Sequence, residues 1–369
     1  MRVLLLNTTF RQEGPNNTFF EIAKRGRAAG VEVWAGAVAG RGPMEDAYRR
    51  CGVPTVHFGR FLPGDLTVAS RVRAFLVAHG VDLVCAQLLR GEVVGALAVQ
   101  GLLRCRLICV VQNEDPYRIA LRNPPKALLS RWALGRATRV VVVSHALRGF
   151  VVRHQGIPSD VVDVIPNAVD SALSLPRNED SRPRDLPGGR PLIGCVGRLS
   201  RQKGQDVLVA AFHEVIRRLP DARLVLVGGG PSRWSLRVAA GRGPGRSRIS
   251  FPGWRANVGP YLPFLDIVAQ PSRWEGMPFA TLEAMAEGVA VIASSVGGLC
   301  ELLADGCGTL VPPGDSHALA RAIHSLATND TMRAAQAVAG RQRVLEEYRP
   351  DRMYAAYSQV FHAVARASS

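Results

Sequence analysis

Lysine and aromatic residues are scarce in this sequence. Lys24, Lys126 and Lys203 are its only lysines, so arginine supplies almost all of the positive charge. Phenylalanine, tryptophan and tyrosine make up 6% of the residues, which disfavours a carbohydrate groove built from stacked aromatic rings. Each retained lysine is therefore of interest as a functional residue.

Cysteine pairs and long apolar runs are missing as well. The seven cysteines form no C-x-x-C motif, and several lie in apolar stretches such as "RLICVV" and "LIGCVG". We therefore expect reduced, buried thiols, and neither a disulfide framework nor a zinc site. No apolar run reaches the roughly 18 residues that span a bilayer, and the first apolar run is too short for a signal peptide. These absences predict a cytoplasmic protein.

Positive charge dominates the chain, with a formal net charge of +16 and a pI near 10.5. Such a balance fits nucleic acid, an anionic membrane surface or a phosphorylated substrate as partner. The charge is spread along the chain without a basic tail or a recognition motif for nucleic acid, so we expect no nucleic-acid partner.

Residues 117–139 contain six basic residues and no acidic one. Apolar side chains are interleaved with these bases, at Leu128, Leu129, Trp132 and Leu134. We hypothesise a surface helix that contacts anionic lipid at the inner face of the membrane. The alternative is an amphipathic helix whose apolar face packs on the sheet.

Short apolar strands alternate with helical patterns along the whole chain. Candidates such as "RVLLL" and "RVVVVS" in the first half, and "PLIGCVG" and "VAVIAS" in the second, are continuous apolar runs. Runs of this kind indicate parallel sheets covered on both faces by helices. Between the halves, residues 170–190 gather proline, serine, glycine and charge, which is typical of a linker.

We therefore predict an α/β protein with two Rossmann-like parallel-sheet domains, residues 1–180 and 186–350. A C-terminal helix at about 351–369 is expected to pack back on the first domain. The two domains would face each other across a cleft at the carboxyl ends of their strands, where open α/β sheets bind ligands.

The stretch "RWEGMPFATLEAMAEG" combines two carboxylates with the start of a helix. Pro278 suits a first helical turn, and the helix would end at Gly288. Glu275 would precede the helix and Glu283 would lie inside it. Amides at the helix start suit a phosphate, and carboxylates accept hydrogen bonds from vicinal hydroxyls. Taken alone, the stretch is better explained as a solvated helix with an ordinary acidic first turn.

A second stretch, "VGRLSRQKGQD", follows a predicted strand and opens a helix. Arg198 and Lys203 would lie in the connecting loop, flanked by Gly197 and Gly204. Glycines let a backbone approach a ligand closely. An arginine fork and a lysine ammonium together suit a diphosphate.

The chain resembles the retaining GT-B glycosyltransferases of the group 1 or family 4 type, which include sucrose synthases and bacterial mannosyl-, glucosyl- and N-acetylglucosaminyltransferases. The resemblance rests on "GRLSRQKG", "LVLVGGGP", "ISFPGW", "PSRWEGMPFATLEAMAEG", "VGGLCELLADG" and "GTLVPPGD", which follow one another through the second half. The first half matches more loosely, through "VVVVSHALRGF" and "VIPNAVD".

The resemblance implies roles for individual residues. Arg198 and Lys203 would bind the donor diphosphate and stabilise its developing charge, Glu283 would hold ribose hydroxyls, and Glu275 would contact the transferred sugar. Glu275, Arg198 and Lys203 are thus the implied catalytic residues. The implied donor site comprises Gly197, Arg198, Lys203, Gly228, Pro252, Gly253, Glu275, Gly276, Met277, Pro278, Phe279 and Glu283. Such enzymes require no cofactor and no strong metal site.

The first half departs from the family pattern. Gly14 stands alone where relatives carry paired glycines, "VVQNEDPYR" replaces a segment that often holds a histidine, and Ala168 stands where glycine is usual. No catalytic base can therefore be assigned. The candidates for the acceptor or sugar side are Gly14, Asn113, Glu114, Asp115 and Ser144, and a structural role of their loops is equally open.

Other functions explain less of the sequence. A nicotinamide-dependent dehydrogenase would need an intact G-x-G-x-x-G after a strand, and "GCVGRL" and "VGGGPS" both lack its spacing. A nucleotide-sugar epimerase or a non-catalytic relative of the same fold remains as an alternative. Family habit favours a UDP-sugar over a GDP-sugar as donor. It also favours a glycan, lipid-linked or small-molecule acceptor of bacterial cell-envelope or polysaccharide synthesis.

Overall fold

A computed structural model describes residues 1–59, 65, 67–119, 122–170 and 179–366. The chain divides into two compact units: unit 1 is Met1–Asn167 with Pro350–Ser369, and unit 2 is Ala168–Arg349. Part of the expected linker, residues 171–178, lies outside the described residues, as do residues 120–121 of the basic segment.

Unit 1 contains a seven-stranded parallel sheet with the strand order β3-β2-β1-β4-β5-β6-β7. Its strands are β1 (Arg2–Asn7), β2 (Glu32–Ala37), β3 (Thr55–His57), β4 (Leu83–Gln87), β5 (Arg106–Val111), β6 (Arg139–Val142) and β7 (Val162–Val164). Its helices are α1 (Gly14–Ala28), α2 (Met44–Arg50), α3 (Thr67–Ala78), α4 (Leu88–Val99), α5 (Pro124–Leu134), α6 (His145–Gln155) and α13 (Pro350–Arg366). The central strands are buried Val, Leu and Ile runs, as expected of a sheet covered on both faces.

Unit 2 contains a six-stranded parallel sheet with the order β10-β9-β8-β11-β12-β13. Its strands are β8 (Leu192–Val196), β9 (Arg223–Val227), β10 (Ile249–Gly253), β11 (Ile267–Gln270), β12 (Ala290–Ser294) and β13 (Thr309–Val311). Its helices are α7 (Gln205–Arg218), α8 (Arg233–Gly241), α9 (Phe279–Ala286), α10 (Gly298–Leu302), α11 (Ser316–Thr328) and α12 (Asp330–Glu347). The prediction of an α/β protein with two Rossmann-like parallel sheets is confirmed.

The strand order reverses once in each sheet. In unit 1 the reversal lies at β1, which pairs with both β2 and β4, and in unit 2 it lies at β8, which pairs with both β9 and β11. Helices on opposite faces diverge at such a point and leave a crevice at the carboxyl ends of the strands. We therefore expect the ligand-binding groups of each unit at this edge of its sheet.

The last helix, α13, belongs to unit 1 although unit 2 precedes it in the chain. It contacts α1, where the ring of Tyr354 lies 3.6 Å from the position that a Cβ on Gly26 would take. Tyr357 and Phe361 of α13 are buried with relative exposures of 0% and 3%. The helix thus completes the apolar core of a unit that begins at the N-terminus.

The basic segment 117–139 differs from the single surface helix that its sequence suggests. The helix α5 covers only Pro124–Leu134. Arg118 lies before it and is buried, and Arg139 begins β6 and pairs with Asp163 at 2.5 Å. Leu128 and Leu129 are exposed on α5, by 64% and 43%. The apolar face of α5 is thus only partly used for packing, through residues such as Ala133.

Candidate active site

The loops that follow β8, β9 and β10 in unit 2 are joined backbone to backbone. The amide of Gly197 donates to the carbonyl of Val227 at 3.0 Å, and that of Gly228 donates to the carbonyl of Gly253 at 2.9 Å. The φ angles of the three glycines are +147°, +152° and +90°. A Cβ on Gly228 would lie 1.9 Å from the carbonyl oxygen of Gly197. We call Gly197, Gly228 and Gly253 the glycine seam. All three adopt φ angles that disfavour side chains, and a side chain on Gly228 would force its loop away from that of Gly197.

A second close approach brings the loop after β8 to the loop after β11. Residues Arg201–Lys203 form a 3₁₀ turn, and Gly204 follows with a φ of +65°. A Cβ on Gly204 would lie 1.9 Å from the carbonyl oxygen of Pro271. Glycine therefore allows the end of this turn to lie directly against the start of the loop that carries Glu275.

Lys203 and Glu275 form an ion pair across this approach. Nζ of Lys203 lies 2.5 Å from Oε1 of Glu275. The same oxygen accepts hydrogen bonds from Oγ of Ser272 at 2.7 Å and from Nε2 of Gln270 at 3.2 Å. Glu275 is only 2% exposed, and a buried carboxylate is tolerated only with such compensation. Its position is thus fixed by three donors.

The helix α9 follows this loop and carries the second carboxylate. It begins at Phe279. Pro278 occupies the N-cap position in an extended conformation, one residue earlier than the first-turn position that the sequence suggests. Gly288 follows its end with a φ of +70°. Burial, aided by the negative charge of Glu287, raises the pKa of Glu283 from 4.5 to about 7.

The remaining predicted donor-site residues lie at the same edge of the unit 2 sheet. Arg198 is exposed, and its backbone carbonyl accepts a hydrogen bond of 3.0 Å from the buried side chain of Gln205. Pro252 precedes Gly253 at the end of β10, where the register with β9 shifts. The segment between Glu275 and α9 is fixed too: the carbonyl of Gly276 accepts from the amide of Gly298 at 2.8 Å, and Met277 is buried.

In unit 1, uncharged polar side chains fill the carboxyl edge of the sheet. Gln87, which ends β4, donates to the side chain of Asn7 at 2.5 Å and to that of Asn16 at 3.3 Å. Gln112, just after β5, donates to Thr18 at 3.4 Å and accepts from Asn167 at 3.2 Å. All six side chains of this amide network are buried: Asn7, Asn16, Thr18, Gln87, Gln112 and Asn167. The amide network thus fills this edge with neutral side chains that bond to one another. A phosphate-binding Rossmann loop would present glycine backbone amides at the same place.

The acceptor-side candidates lie at the carboxyl edge of the unit 1 sheet. Gly14 is the first residue of α1, and Pro15 follows it. Asn113, Glu114 and Asp115 connect β5 to a 3₁₀ turn at Pro116–Arg118 and are partly buried. Ser144 follows β6, is fully buried, and caps α6 by accepting a 3.2 Å hydrogen bond from the amide of Leu147. Capping α6 gives Ser144 a structural role. Its role on the acceptor side stays a prediction.

A buried ion pair holds the segment that follows these candidates. Nη2 of Arg118 lies 2.7 Å from Oε1 of Glu92, and the two side chains are 2% and 0% exposed. Arg118 also donates to Ser130 of α5, and its carbonyl accepts from Gln155 of α6. One arginine thus connects α4, α5 and α6 to the loop after β5.

Sequence reasoning overlooked Ser272 and Gln270, which hold Glu275. A signal was present, because Gln270 is a lone polar residue at the end of the otherwise apolar strand "IVAQ". Within the described residues, no three His, Cys, Asp or Glu side chains form a group that could hold a metal ion. Among the helices that the structure describes, none is long and apolar enough to cross a membrane.

The family models and solved structures that match the chain identify it as a glycosyltransferase of the GT-B fold. Residues 190–329 match the family model described as "Glycosyl transferases group 1", and residues 13–173 match "Glycosyltransferase Family 4". The chain belongs to this family.

Relatives and solved structures support the assignment over almost the whole chain. The chain is 32% identical to the GDP-mannose-dependent alpha-(1-6)-phosphatidylinositol monomannoside mannosyltransferase of Mycolicibacterium smegmatis, over 76% of each protein. It is 30% identical to the protein of the same name from Mycobacterium tuberculosis, over 96% of each. Its fold matches that of Anabaena HepE in complex with UDP and glucose, with a TM-score of 0.86 at 24% identity over 98% of this chain and 100% of HepE. Sucrose-phosphate synthase from Thermosynechococcus elongatus matches with a TM-score of 0.84 at 22% identity, over 100% of both chains.

Proposed function

We propose that the protein is a retaining, metal-independent hexosyltransferase, which moves a sugar from a nucleotide diphosphosugar to a hydroxyl of a glycan or lipid-linked acceptor. The observation that carries this proposal is the Lys203–Glu275 pair at the carboxyl edge of the unit 2 sheet. The pair places the Lys203 ammonium, which can bind phosphate, beside the Glu275 carboxylate, which can accept hydrogen bonds from sugar hydroxyls. A nucleotide sugar presents both kinds of group.

Each predicted residue has a task in this reaction. Lys203 and Arg198 bind the diphosphate and stabilise the negative charge that grows on it as the bond to the sugar breaks. Glu283 accepts hydrogen bonds from the ribose hydroxyls. Glu275, held through Oε1, offers Oε2 to a hydroxyl of the transferred sugar. The departing phosphate takes the acceptor proton on the same face, which preserves the anomeric configuration without a protein base.

The donor is proposed as a nucleoside diphosphohexose with uracil or guanine as base. Family habit favours UDP, whereas two relatives are named for GDP-mannose and the HepE structure contains UDP and glucose. The same mannosyltransferase names support a glycolipid or cell-envelope acceptor. A screen of UDP-, GDP- and ADP-sugars for hydrolysis or transfer identifies the donor. It also separates transfer from the alternatives, because an epimerase would change the sugar without an acceptor and a non-catalytic relative would leave it intact.

Calorimetry with UDP and GDP tests the site. We expect Lys203→Ala and Glu283→Ala each to weaken binding about tenfold or more, since each removes a partner of a charged hydrogen bond. Lys24→Ala is the matched control, because Lys24 is an exposed lysine of unit 1. Undiminished binding in both site variants would refute the assignment.

Contact with anionic lipid is proposed for the exposed face of α5. Leu128 and Leu129 protrude there near the exposed Lys126 and Arg131, a combination that suits an anionic interface. Co-sedimentation with vesicles rich in phosphatidylglycerol should decrease when Leu128 and Leu129 are both changed to Ser. Leu103→Ser is the control, since Leu103 is 86% exposed elsewhere in unit 1. Absence of wild-type binding at low salt would refute lipid contact.

A further inference from the structure

Three consecutive residues of the 3₁₀ turn after β8 each contact the residue 72 positions later, in the loop after β11. The three pairs, which we call the ladder, are Arg201 with Arg273, Gln202 with Trp274, and Lys203 with Glu275. In the first pair, Nη1 of Arg273 donates to the carbonyl of Arg201 at 2.9 Å. In the second, Nε2 of Gln202 donates to the carbonyl of Trp274 at 3.2 Å. The 2.5 Å ion pair of Lys203 and Glu275 is therefore the last contact of a longer ladder.

Arg273 holds this turn at both ends. Its backbone amide donates to the carbonyl of Gln202 at 2.7 Å. Its guanidinium bonds both carboxylate oxygens of Asp206 in the first turn of α7, with Nη1 2.8 Å from Oδ1 and Nη2 2.6 Å from Oδ2. Such bidentate pairs fix geometry as well as adding energy. The hydrogen bonds from Arg273 hold the pKa of the Asp206 carboxyl below its ordinary value, so the pair stays ionised at neutral pH. One arginine thus connects the start of the turn and the helix after it to the loop of Glu275.

The ladder leads from the surface to the buried ion pair. The exposed fraction of the side chain is 28% for Arg273, 17% for Lys203 and 2% for Glu275. Because both terminal nitrogens of Arg273 bond to the protein, this arginine acts on the ion pair through the backbones that carry it. A lysine ammonium sits on a flexible four-carbon stem, so its position depends on a fixed backbone.

We infer that Arg273 is a positioning residue for sugar transfer, which holds the turn of Lys203 against the loop of Glu275. This inference rests on the proposed function. In that reaction Lys203 meets the leaving phosphate while Glu275 meets the transferred sugar, so both must be in place at the same moment. Preorganised charge lowers the barrier only where the new charge develops, and a misplacement of about 1 Å can cost about 100-fold in rate. Binding of the free nucleotide is less demanding, because the ammonium can follow the phosphate.

Steady-state kinetics of Arg273→Gln test this role. With UDP-glucose or GDP-mannose, whichever serves as donor, we expect kcat to fall about 10- to 100-fold. The Kd values for UDP and GDP, measured by calorimetry, should stay within about threefold of the wild-type values, whereas Lys203→Ala weakens this binding. Arg333→Gln is the matched control and should leave kcat unchanged. Arg333 is 24% exposed in the same unit, and it too bonds an aspartate, Asp330, and a backbone carbonyl, that of Leu326.

A double variant distinguishes positioning from a purely structural role. In Lys203→Ala there is no ammonium left to place, so adding Arg273→Gln should lower the residual kcat by less than about threefold. An equal factor in both backgrounds would overturn the inference. Asp206→Asn removes the bidentate pair from its other side and should lower kcat about 3- to 10-fold. If Arg273→Gln does not fold, Asp206→Asn decides, and a wild-type kcat in that variant would be the contrary result.

The outcomes separate this inference from the proposed function. If Lys203→Ala lowers transfer and Arg273→Gln behaves like Arg333→Gln, the positioning role is refuted while the proposed function stands. A wild type that transfers no sugar from any nucleotide sugar of the screen would refute the proposed function together with this inference.

Discussion

The hydroxyl of Ser272 donates a 2.7 Å hydrogen bond to Oε1 of Glu275, and neither residue is more than 2% exposed. In the proposed function Ser272 is a positioning residue, because its hydroxyl is bonded to the carboxylate that would contact the sugar. We expect Ser272→Ala to lower kcat about tenfold. The KM for the donor should stay within about twofold of the wild-type value, because the phosphate contacts are unchanged.

The control for this substitution is Ser235→Ala, which removes a hydroxyl that donates only to the backbone carbonyl of Ser232 at the surface. Steady-state kinetics with the donor found in the screen would measure both variants. An unchanged kcat in Ser272→Ala would show that Lys203 and Gln270 alone suffice to hold Glu275.

We expect Glu283 to lower the free energy of unfolding at alkaline pH. Its pKa is raised from 4.5 to about 7 by burial and by Glu287. Between these values the unfolded chain has released its proton while the folded protein keeps it, so the free energy of unfolding falls as the pH rises. Glu283→Gln should therefore melt at a higher temperature than the wild type at pH 8, by about 2–4 °C for each kcal/mol recovered. The two should melt alike below pH 4.5.

Glu283→Gln should also impair donor binding. The amide has one neutral acceptor oxygen, whereas the ionised carboxylate has two charged ones for the ribose hydroxyls. Wild-type affinity for GDP or UDP should fall as the pH drops below about 7 and Glu283 takes up a proton. The difference between wild type and Glu283→Gln removes the titration of the nucleotide itself. Glu287→Gln is the control: it should raise the melting temperature less and preserve binding. A pH-independent difference in affinity would contradict the assigned pKa.

Gly228 should not tolerate any side chain. A Cβ there would lie 1.9 Å from the carbonyl oxygen of Gly197, at a φ of +152°. We expect Gly228→Ala to lower the free energy of unfolding by about 2–6 kcal/mol, as strain and overlap add. Gly241→Ala, at the end of α8, should change it by less than about 1 kcal/mol, because the new Cβ would meet no atom from other parts of the chain within 4 Å. Equal melting temperatures for the two variants would contradict the account of the seam.

The buried pair of Glu92 and Arg118 should respond differently to single and double substitution. Glu92→Ala alone leaves a buried guanidinium without its partner and should cost about 3–5 kcal/mol. Glu92→Leu combined with Arg118→Met should cost less, because no charge remains buried. Asp46→Ala in the exposed Asp46–Arg49 pair should cost under about 1 kcal/mol. Thermal unfolding measures all three, and a double variant as unstable as Glu92→Ala would be the contrary result.

Much of the fold could be predicted because its strands are short, apolar and separated by helical patterns. Strands such as β8 and β12 are continuous buried runs, and that pattern depends on local sequence alone. Resemblance alone placed Lys203 and Glu275 in one site, and their ion pair was not predicted, since 72 positions separate them. Their contact depends on Gly204 lying against Pro271, which no spacing rule reveals.

The sequence did not reveal which charged residues are buried. Arg118 lies in a strongly basic segment and reads as a surface residue. It is buried because Glu92, 26 positions earlier on another helix, faces it across the fold. The amide network is hidden for the same reason, since Gln112 and Asn167 are 55 positions apart. Such contacts arise from the parallel topology, which brings strand ends together regardless of separation along the chain.

The attachment of α13 to unit 1 has a consequence for synthesis on the ribosome. Unit 2 is one uninterrupted stretch, Ala168–Arg349, whereas unit 1 needs Pro350–Ser369 as well. Domains generally fold as they emerge, the N-terminal one first. Here the unit that emerges first waits for Tyr357 and Phe361 to cover its core, and the unit that emerges second is the first to have all of its residues. A nascent chain halted before α13 would expose that uncovered core to chaperones and proteases.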